Sequence, residues 1–140
     1  MEAEQIEILN FISQYPPFDT LPEDQLHQLL KNDRIIRNKL KIKATVDNAK
    51  AFVKIQKEFG SFSKYLWHYT SGKPIINSFK TVSDIPKNTA LSHTIAKDLK
   101  KRGFKFVGST VIYAYMQAIG MVNDHLVDCF RYKDLQKIKA

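Results

Sequence analysis

The sequence has only one cysteine, Cys129, among its 140 residues. A disulfide within the chain is therefore excluded, and such low cysteine usage is typical of a reducing compartment, so we expect a cytoplasmic location. Hydrophobic runs are short, and none approaches the roughly 20 apolar residues that span a membrane. The acidic, polar first residues differ from a signal peptide. We therefore expect no membrane partner.

Acidic residues are fewer than basic ones, 14 against 22, which gives a formal net charge of +8. The charge is sorted along the chain: residues 1–30 contain six acids and no Lys or Arg, whereas basic residues are dense in 31–57 and 97–105. A basic face of this kind favours nucleic acid as a partner. The alternative is an ordinary soluble domain that is rich in lysine.

No stretch requires a β-sheet, whereas apolar residues recur at helical spacing along most of the chain. The sequence therefore predicts an all-α fold. Within its long basic region, Asn38 is a candidate helix cap and Gly60 should end the helix. Tyr65, Trp67 and Tyr69 are expected in the core, with a base-stacking platform as the alternative. Helices are predicted over about residues 6–15, 21–30, 31–59, 61–69, 89–102, 109–120 and 125–129, before a basic tail, 130–140, that should fray.

Two glycines flank a short turn between two of these predicted helices. Glycine permits positive φ and close backbone approach, and the helix that follows points its positive dipole end at the turn, which suits a phosphate group. The three apolar residues of the turn are expected to anchor it rather than to touch bases. The alternative is a plain helix–helix turn with Gly103 as its C-cap. The predicted DNA-binding residues are the hairpin, Gly103, Phe104, Lys105, Phe106, Val107 and Gly108, and the preceding cations, Lys100, Lys101 and Arg102.

His125 and Cys129 are four residues apart, and we expect them on one face of a short helix. Both side-chain types are zinc ligands, but a structural zinc site takes about four of them. The chain has no second cysteine, and its three other histidines are scattered. Two interpretations are open: half of a metal site, or a partly buried Cys beside a surface His. Asp124 and Asp128 flank this histidine and are candidates for a general base or for the stabilisation of a cation.

The opening segment, ILNFISQYPPFDTLPEDQLHQLL, weakly resembles the entry helix of cyclic-nucleotide-binding domains. No later segment resembles the β-roll or the phosphate-binding cassette of those domains, so we expect no cyclic nucleotide to bind. We therefore divide the chain into a divergent helical N-terminal segment, residues 1–30, and a larger helical domain, residues 31–140, with its hairpin at 103–108.

Two later segments carry a more specific resemblance. IIRNKLKIKATVDNAKAFVKIQKEFGSF and KDLKKRGFKFVGSTVIYAYMQAIGMVNDHLVDC resemble the C-terminal two-thirds of type I 3-methyladenine DNA glycosylases, over about residues 30–132. That family belongs to the helix-hairpin-helix glycosylase superfamily, so the resemblance implies an all-α fold and a DNA-gripping hairpin at Gly103–Gly108. The implied activity is hydrolysis of the N-glycosidic bond of 3-methyladenine flipped from double-stranded, alkylated DNA, the first step of base-excision repair.

The resemblance also implies a structural zinc. Two of the family's four ligands match His125 and Cys129, while the other two, a Cys and a His, would precede the region of resemblance. The Glu, tyrosines and Trp with which the family recognises the base would precede it too. Asn123 stands near the position of the Asp that is common in the wider superfamily. We therefore expect an N-terminally truncated glycosylase-like domain with half of a zinc site and no other cofactor.

Three accounts of function are consistent with this resemblance. The chain keeps DNA binding with impaired base excision, or it excises bases with substitutes such as Tyr65, Trp67 or Asp124, or it completes its fold by pairing with another chain. We expect the first account. A non-catalytic DNA-binding or protein-interaction module is the alternative, and exposed apolar surface would favour self-association.

Overall fold

The computed structural model of the chain describes residue 28, residues 30–34, residue 36 and residues 38–137. The predictions for the opening helices and for the cyclic-nucleotide-like segment lie outside these residues, apart from a few positions near residue 30. The elements follow in the order α1 (Lys39–Phe59), α2 (Phe62–His68), β1 (Ile75–Ile76), a 3₁₀ turn (Val82–Asp84), α3 (Ala90–Lys101), α4 (Ser109–Ala118), β2 (Val122–Asn123) and α5 (Phe130–Lys137).

This mostly helical architecture confirms the predicted fold class, with one small addition. β1 and β2 form a parallel pair of two residues each, with Ile75 opposite Val122. Strands this short carry too little alternation to be visible in the sequence. The pair joins the loop after α2 to the segment after α4.

Local sequence signals set the ends of the helices. The side chain of Asn38 accepts a hydrogen bond from the Lys41 amide at 3.1 Å, which confirms the predicted cap of α1. Gly60, at φ +81°, follows the last residue of that helix, as expected for a glycine stop. At the start of α3, Thr89 and Ser92 exchange two side-chain-to-backbone hydrogen bonds of 3.2 and 2.9 Å.

Two predictions for the C-terminal part are wrong. Residues 130–137 form α5, where a frayed tail was expected. Residues 124–129 are not helical, because their backbone bonds elsewhere: the His125 amide donates to the Asn123 side chain and the Val127 amide to the Phe79 carbonyl. These hydrogen bonds replace the helical ones. The four-residue spacing of His125 and Cys129, on which the helix prediction rested, cannot reveal them.

The described residues cluster into two compact units. The first contains the described residues up to Lys54 together with Gly103–Lys105, and the second contains residues 55–102 and 106–137. In the first unit, Asn48 of α1 makes two hydrogen bonds to the backbone of Lys105, and Ala44 is buried. The sequence-based division at residue 30 stays a prediction.

The second unit has a core in which α3 packs against α4. Its largest fully buried side chains are Tyr65, Tyr113, Ile55, Ile95, Met116 and Met121. The prediction that Tyr65 lies in the core is therefore confirmed. Trp67 is only half-buried.

A partly buried carboxylate, Asp98 of α3, is the polar centre of this unit. Its Oδ2 accepts hydrogen bonds from the Tyr65 hydroxyl at 2.8 Å, the Tyr69 hydroxyl at 3.1 Å and the Arg102 Nε at 2.7 Å. The guanidinium of Arg102 also donates to both carboxylate oxygens of Glu58, at 2.6 and 3.2 Å. These bonds join the end of α1, α2 and α3.

The electrostatics of the cluster favour its charged form. Partial burial alone would raise the pKa of Asp98, but hydrogen bonds from Arg102 and Tyr65 outweigh it and hold that pKa below its ordinary value. The hydrogen bond from Arg102 likewise lowers the pKa of Glu58. The guanidinium also lies over the rings of Phe59 and Tyr65, at 5.0 and 5.2 Å from the ring centroids. Arg102 is therefore a structural cation of this unit.

We expect Asp98→Asn to lower the free energy of unfolding by about 1–3 kcal/mol at pH 7, because a charged acceptor shared by three donors is lost. The folded-state pKa of Asp98 lies below its unfolded value of about 3.9, so its contribution is present above that pH and is lost as the pH falls through the folded pKa. Urea unfolding of the parent and of Asp98→Asn between pH 7 and pH 3 measures this effect. The difference between their free energies of unfolding should become smaller as the pH falls.

The matched control is Asp128→Asn, which changes an exposed carboxylate. It should alter stability by less than about 0.5 kcal/mol at pH 7. Equal effects of the two substitutions would contradict the role given to Asp98.

Candidate functional site

The predicted hairpin begins where α3 ends. Gly103, at φ +101°, follows the C-cap residue Arg102, so the glycine does end this helix as a C-cap glycine would. Lys100 and Lys101, in the last turn of α3, are exposed and form no ion pair with any described residue. A helix C-terminus also attracts cations, so lysines here are favourable in the free protein too.

The part of the hairpin in the first unit is held by a side chain from α1. The Lys105 amide donates to Asn48 Oδ1 at 2.7 Å, and Asn48 Nδ2 donates to the Lys105 carbonyl at 3.1 Å. The backbone of Lys105 is therefore engaged within the protein, while its side chain is exposed. Phe104 is buried, which confirms its predicted role as an anchor.

The part of the hairpin in the second unit differs from expectation at one residue. Phe106 leaves 59% of its surface exposed, so the prediction that it anchors the turn is wrong. Its backbone has φ +59°, in the left-handed region that favours glycine. The next residue, Val107, is half-buried.

Helix α4 begins immediately after the hairpin with an uncapped end. Gly108 is its N-cap residue and contributes no side-chain hydrogen bond. The first bond of the helix runs from the Ile112 amide to the Gly108 carbonyl, so the amides of residues 109–111 have no acceptor within the helix. A β-carbon added at Gly108 would meet no described atom within 4 Å. The helix start therefore presents N–H groups and a positive dipole end with open space beside them.

Arg102 is the predicted DNA-binding cation whose surroundings differ most from the others. Its side chain is 24% exposed and holds Asp98 and Glu58, whereas Lys100, Lys101 and Lys105 are exposed. A guanidinium with two carboxylate partners has fewer N–H groups left for a phosphate. The DNA contact predicted for Arg102 stays a prediction, and its observed contacts are internal.

A separate pocket of about 640 Å³ opens in the second unit, between the loop after α2 and the segment after α4. Its polar side carries Gln117, Asn123, Asp124 and His125. Its apolar side is lined by Trp67, Ile76, Ile85, Ile119, Val122 and Leu135. A concave, largely apolar site with a few convergent polar groups is the usual form of a small-molecule site.

Asp124 is held at this pocket by three donors. Its Oδ2 accepts from the Tyr113 hydroxyl at 2.6 Å and from Gln117 Nε2 at 2.8 Å, and its Oδ1 accepts from Asn77 Nδ2 at 2.6 Å. Burial first, and then the bond to Asp124, raises the pKa of Tyr113, which keeps this phenol a donor. The carboxylate is thereby fixed in orientation, with lone-pair capacity left for a ligand.

Of the three substitutes considered for a base pocket, the structure brings two together. Trp67 and Asp124 line the same pocket, which explains why the tryptophan is only half-buried. Tyr65 is bonded to Asp98 instead. The sequence analysis missed the residues that hold Asp124, namely Tyr113 and Gln117. Their spacing of four residues on α4 could have indicated that they share one helix face. Asn77 lies 47 positions away from Asp124, and no local pattern could have found it.

The predicted zinc ligands are neighbours, although they do not share a helix. Cys129 Sγ lies 3.7 Å from His125 Nδ1, close to the separation of about 3.5 Å that two ligands of one tetrahedral zinc would have. Across residues 38–137 and the few described positions before them, no group of three or more His, Cys, Asp or Glu side chains could hold a metal ion. Within this part of the chain the pair does not make up a zinc site.

The chain belongs to the methyladenine glycosylase family, whose sequence profile matches residues 15–132. The match starts about 15 residues before the region of resemblance, which begins near residue 30, and so includes part of the segment predicted to be divergent. Among the described residues no helix is long and apolar enough to cross a membrane.

Two relatives are similar in sequence. DNA-3-methyladenine glycosylase 1 of Escherichia coli K12 is 39% identical over 112 residues, which are 80% of this chain and 60% of the relative. DNA-3-methyladenine glycosylase of Haemophilus influenzae is 42% identical over 100 residues, which are 71% of this chain and 54% of the relative. The chain thus spans between half and three-fifths of these relatives.

Solved structures agree in fold. A crystal structure of 3-methyladenine DNA glycosylase I superposes with a TM-score of 0.76 at 38% identity, covering 90% of this chain and 70% of the other. The Staphylococcus aureus enzyme, solved to explain its recognition of 3-methyladenine, gives 0.76 at 32% identity, with 81% and 60% coverage. These similarities confirm the predicted family and helical fold.

Proposed function

We propose that this chain binds duplex DNA and serves the excision of alkylated adenine in base-excision repair. The observation that carries the proposal is the uncapped start of α4 beside exposed lysines, in a chain 39–42% identical to proteins named DNA-3-methyladenine glycosylase. A cytoplasmic location belongs to the same proposal.

The phosphate contact rests on backbone amides and on lysine charge. The amides of residues 109–111 would donate to a phosphate oxygen, and the helix dipole favours the negative charge. Lys100, Lys101 and Lys105 would add attraction without reading the base sequence. An enzyme that searches DNA for a rare damaged base needs such sequence-independent binding.

The pocket at Asp124 supports the base-recognition half of the proposal. Methylation at N3 gives the adenine base of a nucleotide a positive charge. When the glycosidic bond breaks, the base takes the electron pair of that bond and leaves as a neutral molecule. Water adds to the sugar carbon and loses a proton. A fixed carboxylate beside an aromatic ring would favour a flat, charged or amine-bearing base over water.

The extent of excision by these 140 residues stays a prediction. The sequence comparison led us to expect impaired excision, and the pocket adds candidates, Trp67 and Asp124, for residual base binding. A non-catalytic DNA-binding module is the second candidate function, favoured because the residues of the proposed DNA surface do not line the pocket. The described residues supply only two candidate zinc ligands, His125 and Cys129, so zinc is not part of this proposal.

We expect Gly108→Ala to weaken binding of duplex DNA about tenfold while changing the free energy of unfolding by less than about 1 kcal/mol, because a poorer N-cap offsets the lower entropy of the unfolded chain. The backbone φ of −77° accepts alanine, and its β-carbon has space in the free protein, but a phosphate approaching the α4 amides would meet it. Fluorescence anisotropy with a labelled duplex measures affinity, and circular dichroism melting measures stability.

Charge reversal tests the same contact independently. Lys101→Glu combined with Lys105→Glu should abolish retention on DNA, whereas Lys80→Glu, an exposed lysine outside the basic clusters, should have a much smaller effect. The DNA proposal would be contradicted if the Lys101→Glu/Lys105→Glu variant bound DNA as the parent does, or if the parent did not bind DNA.

The pocket can be tested through Trp67, the single tryptophan of the chain. We expect 3-methyladenine to quench its fluorescence more strongly than adenine does. Asp124→Asn should weaken this binding about tenfold, because a charge-assisted hydrogen bond is worth about 1.5–3 kcal/mol. Asp128→Asn is the control, since its exposed carboxylate does not line the pocket.

Release of 3-methyladenine from methylated DNA by the same protein separates the two candidate functions. Little release together with DNA binding agrees with impaired excision. Release at the level of the Escherichia coli relative would show that the impairment prediction is wrong. If 3-methyladenine quenched the fluorescence of Asp124→Asn and of the parent equally, Asp124 would have no role in binding the base.

A further inference from the structure

Phe106 combines two features that a stable fold does not select. Its φ of +59° is costly for a bulky side chain, because the β-carbon crowds the backbone, whereas glycine adopts it freely. The residue also leaves 59% of its surface in water. Among the described residues, only one other non-glycine has a positive φ, Ser71, a small polar residue in a turn.

The need for an apolar anchor does not explain Phe106. Phe104, two positions earlier, is buried and already serves as an anchor. A glycine at position 106 would relieve the backbone and remove the exposed ring. The phenylalanine therefore costs the free protein stability without visible return, and such outliers point to a role in binding.

The surroundings of Phe106 indicate what it would bind. Two residues later the chain enters the uncapped end of α4, and five residues earlier it leaves the exposed Lys101. The nearest preceding acid in the sequence, Asp98, is engaged by Arg102 and two tyrosines. An exposed aromatic ring among cations and free amides fits a polyanion that also has flat apolar faces. DNA has both properties, in its phosphates and in its sugars and bases.

We propose that Phe106 is a DNA-contacting residue whose ring packs against the sugars and bases beside the phosphate bound at α4. This inference rests on the proposed DNA binding and adds an apolar, sequence-tolerant contact to it. Aromatic side chains stabilise nucleic-acid complexes through the π-faces that every base offers. The backbone at φ +59° would then be the cost of presenting the ring outward.

The test compares Phe106→Gly, Phe106→Tyr and Lys101→Gln in the full chain. Phe106→Gly should raise or preserve the melting temperature and weaken duplex binding roughly tenfold. Its plot of log affinity against log salt should run parallel to that of the parent, because no phosphate contact is lost. Lys101→Gln should instead lower the slope by about one. Phe106→Tyr should retain binding.

Each outcome decides the matter. If the parent does not bind DNA, the proposed function fails, and this inference fails with it. If the parent binds and Phe106→Gly binds equally well, the role of Phe106 is overturned while the proposed function stands. Loss of folding in Phe106→Gly would show a structural role and overturn the inference. Sedimentation that shows a dimeric parent and a monomeric Phe106→Gly would also overturn the inference, because the ring would then lie between two copies of the chain.

Discussion

The shared carboxylate of Asp98 is the interaction on which the described structure depends most. It accepts hydrogen bonds from the hydroxyls of Tyr65 and Tyr69 and from the guanidinium of Arg102, which in turn holds Glu58 at the end of α1. A partly buried charge is stable only when such partners satisfy it. The cluster fixes the last turn of α3, and the next residue, Gly103, starts the hairpin. That last turn also carries Lys100 and Lys101 of the proposed DNA surface.

The proposed DNA surface uses features that are costly or neutral for folding. Helix α4 starts without a side-chain cap, and Gly108 lacks a β-carbon although neither its φ nor its neighbours require this. Phe106 is exposed and has a positive φ. In α2, by comparison, Ser61 caps the first turn through the Lys64 amide at 3.0 Å. The contrast between these two helix starts is what a phosphate-binding role for α4 would require.

Sequence reasoning worked where the determinants are local and failed where they are tertiary. The cap at Asn38 and the stop at Gly60 follow from single residues and their immediate neighbours. The bonds between Asn48 and Lys105 join residues 57 positions apart, so no local pattern encodes them. The helix expected at His125 failed because the backbone of that segment bonds to a distant loop. The exposure of Phe106 was missed because apolar residues in a turn are usually anchors.

The most direct test of the account is an NMR titration of the ¹⁵N-labelled chain with duplex DNA. The account predicts that the amide resonances of residues 109–111 shift most. Those of residues 62–64, at the Ser61-capped start of α2, should barely move. Changes confined to other surfaces, with the α4 amides unaffected, would contradict the claim that this helix start holds the phosphate.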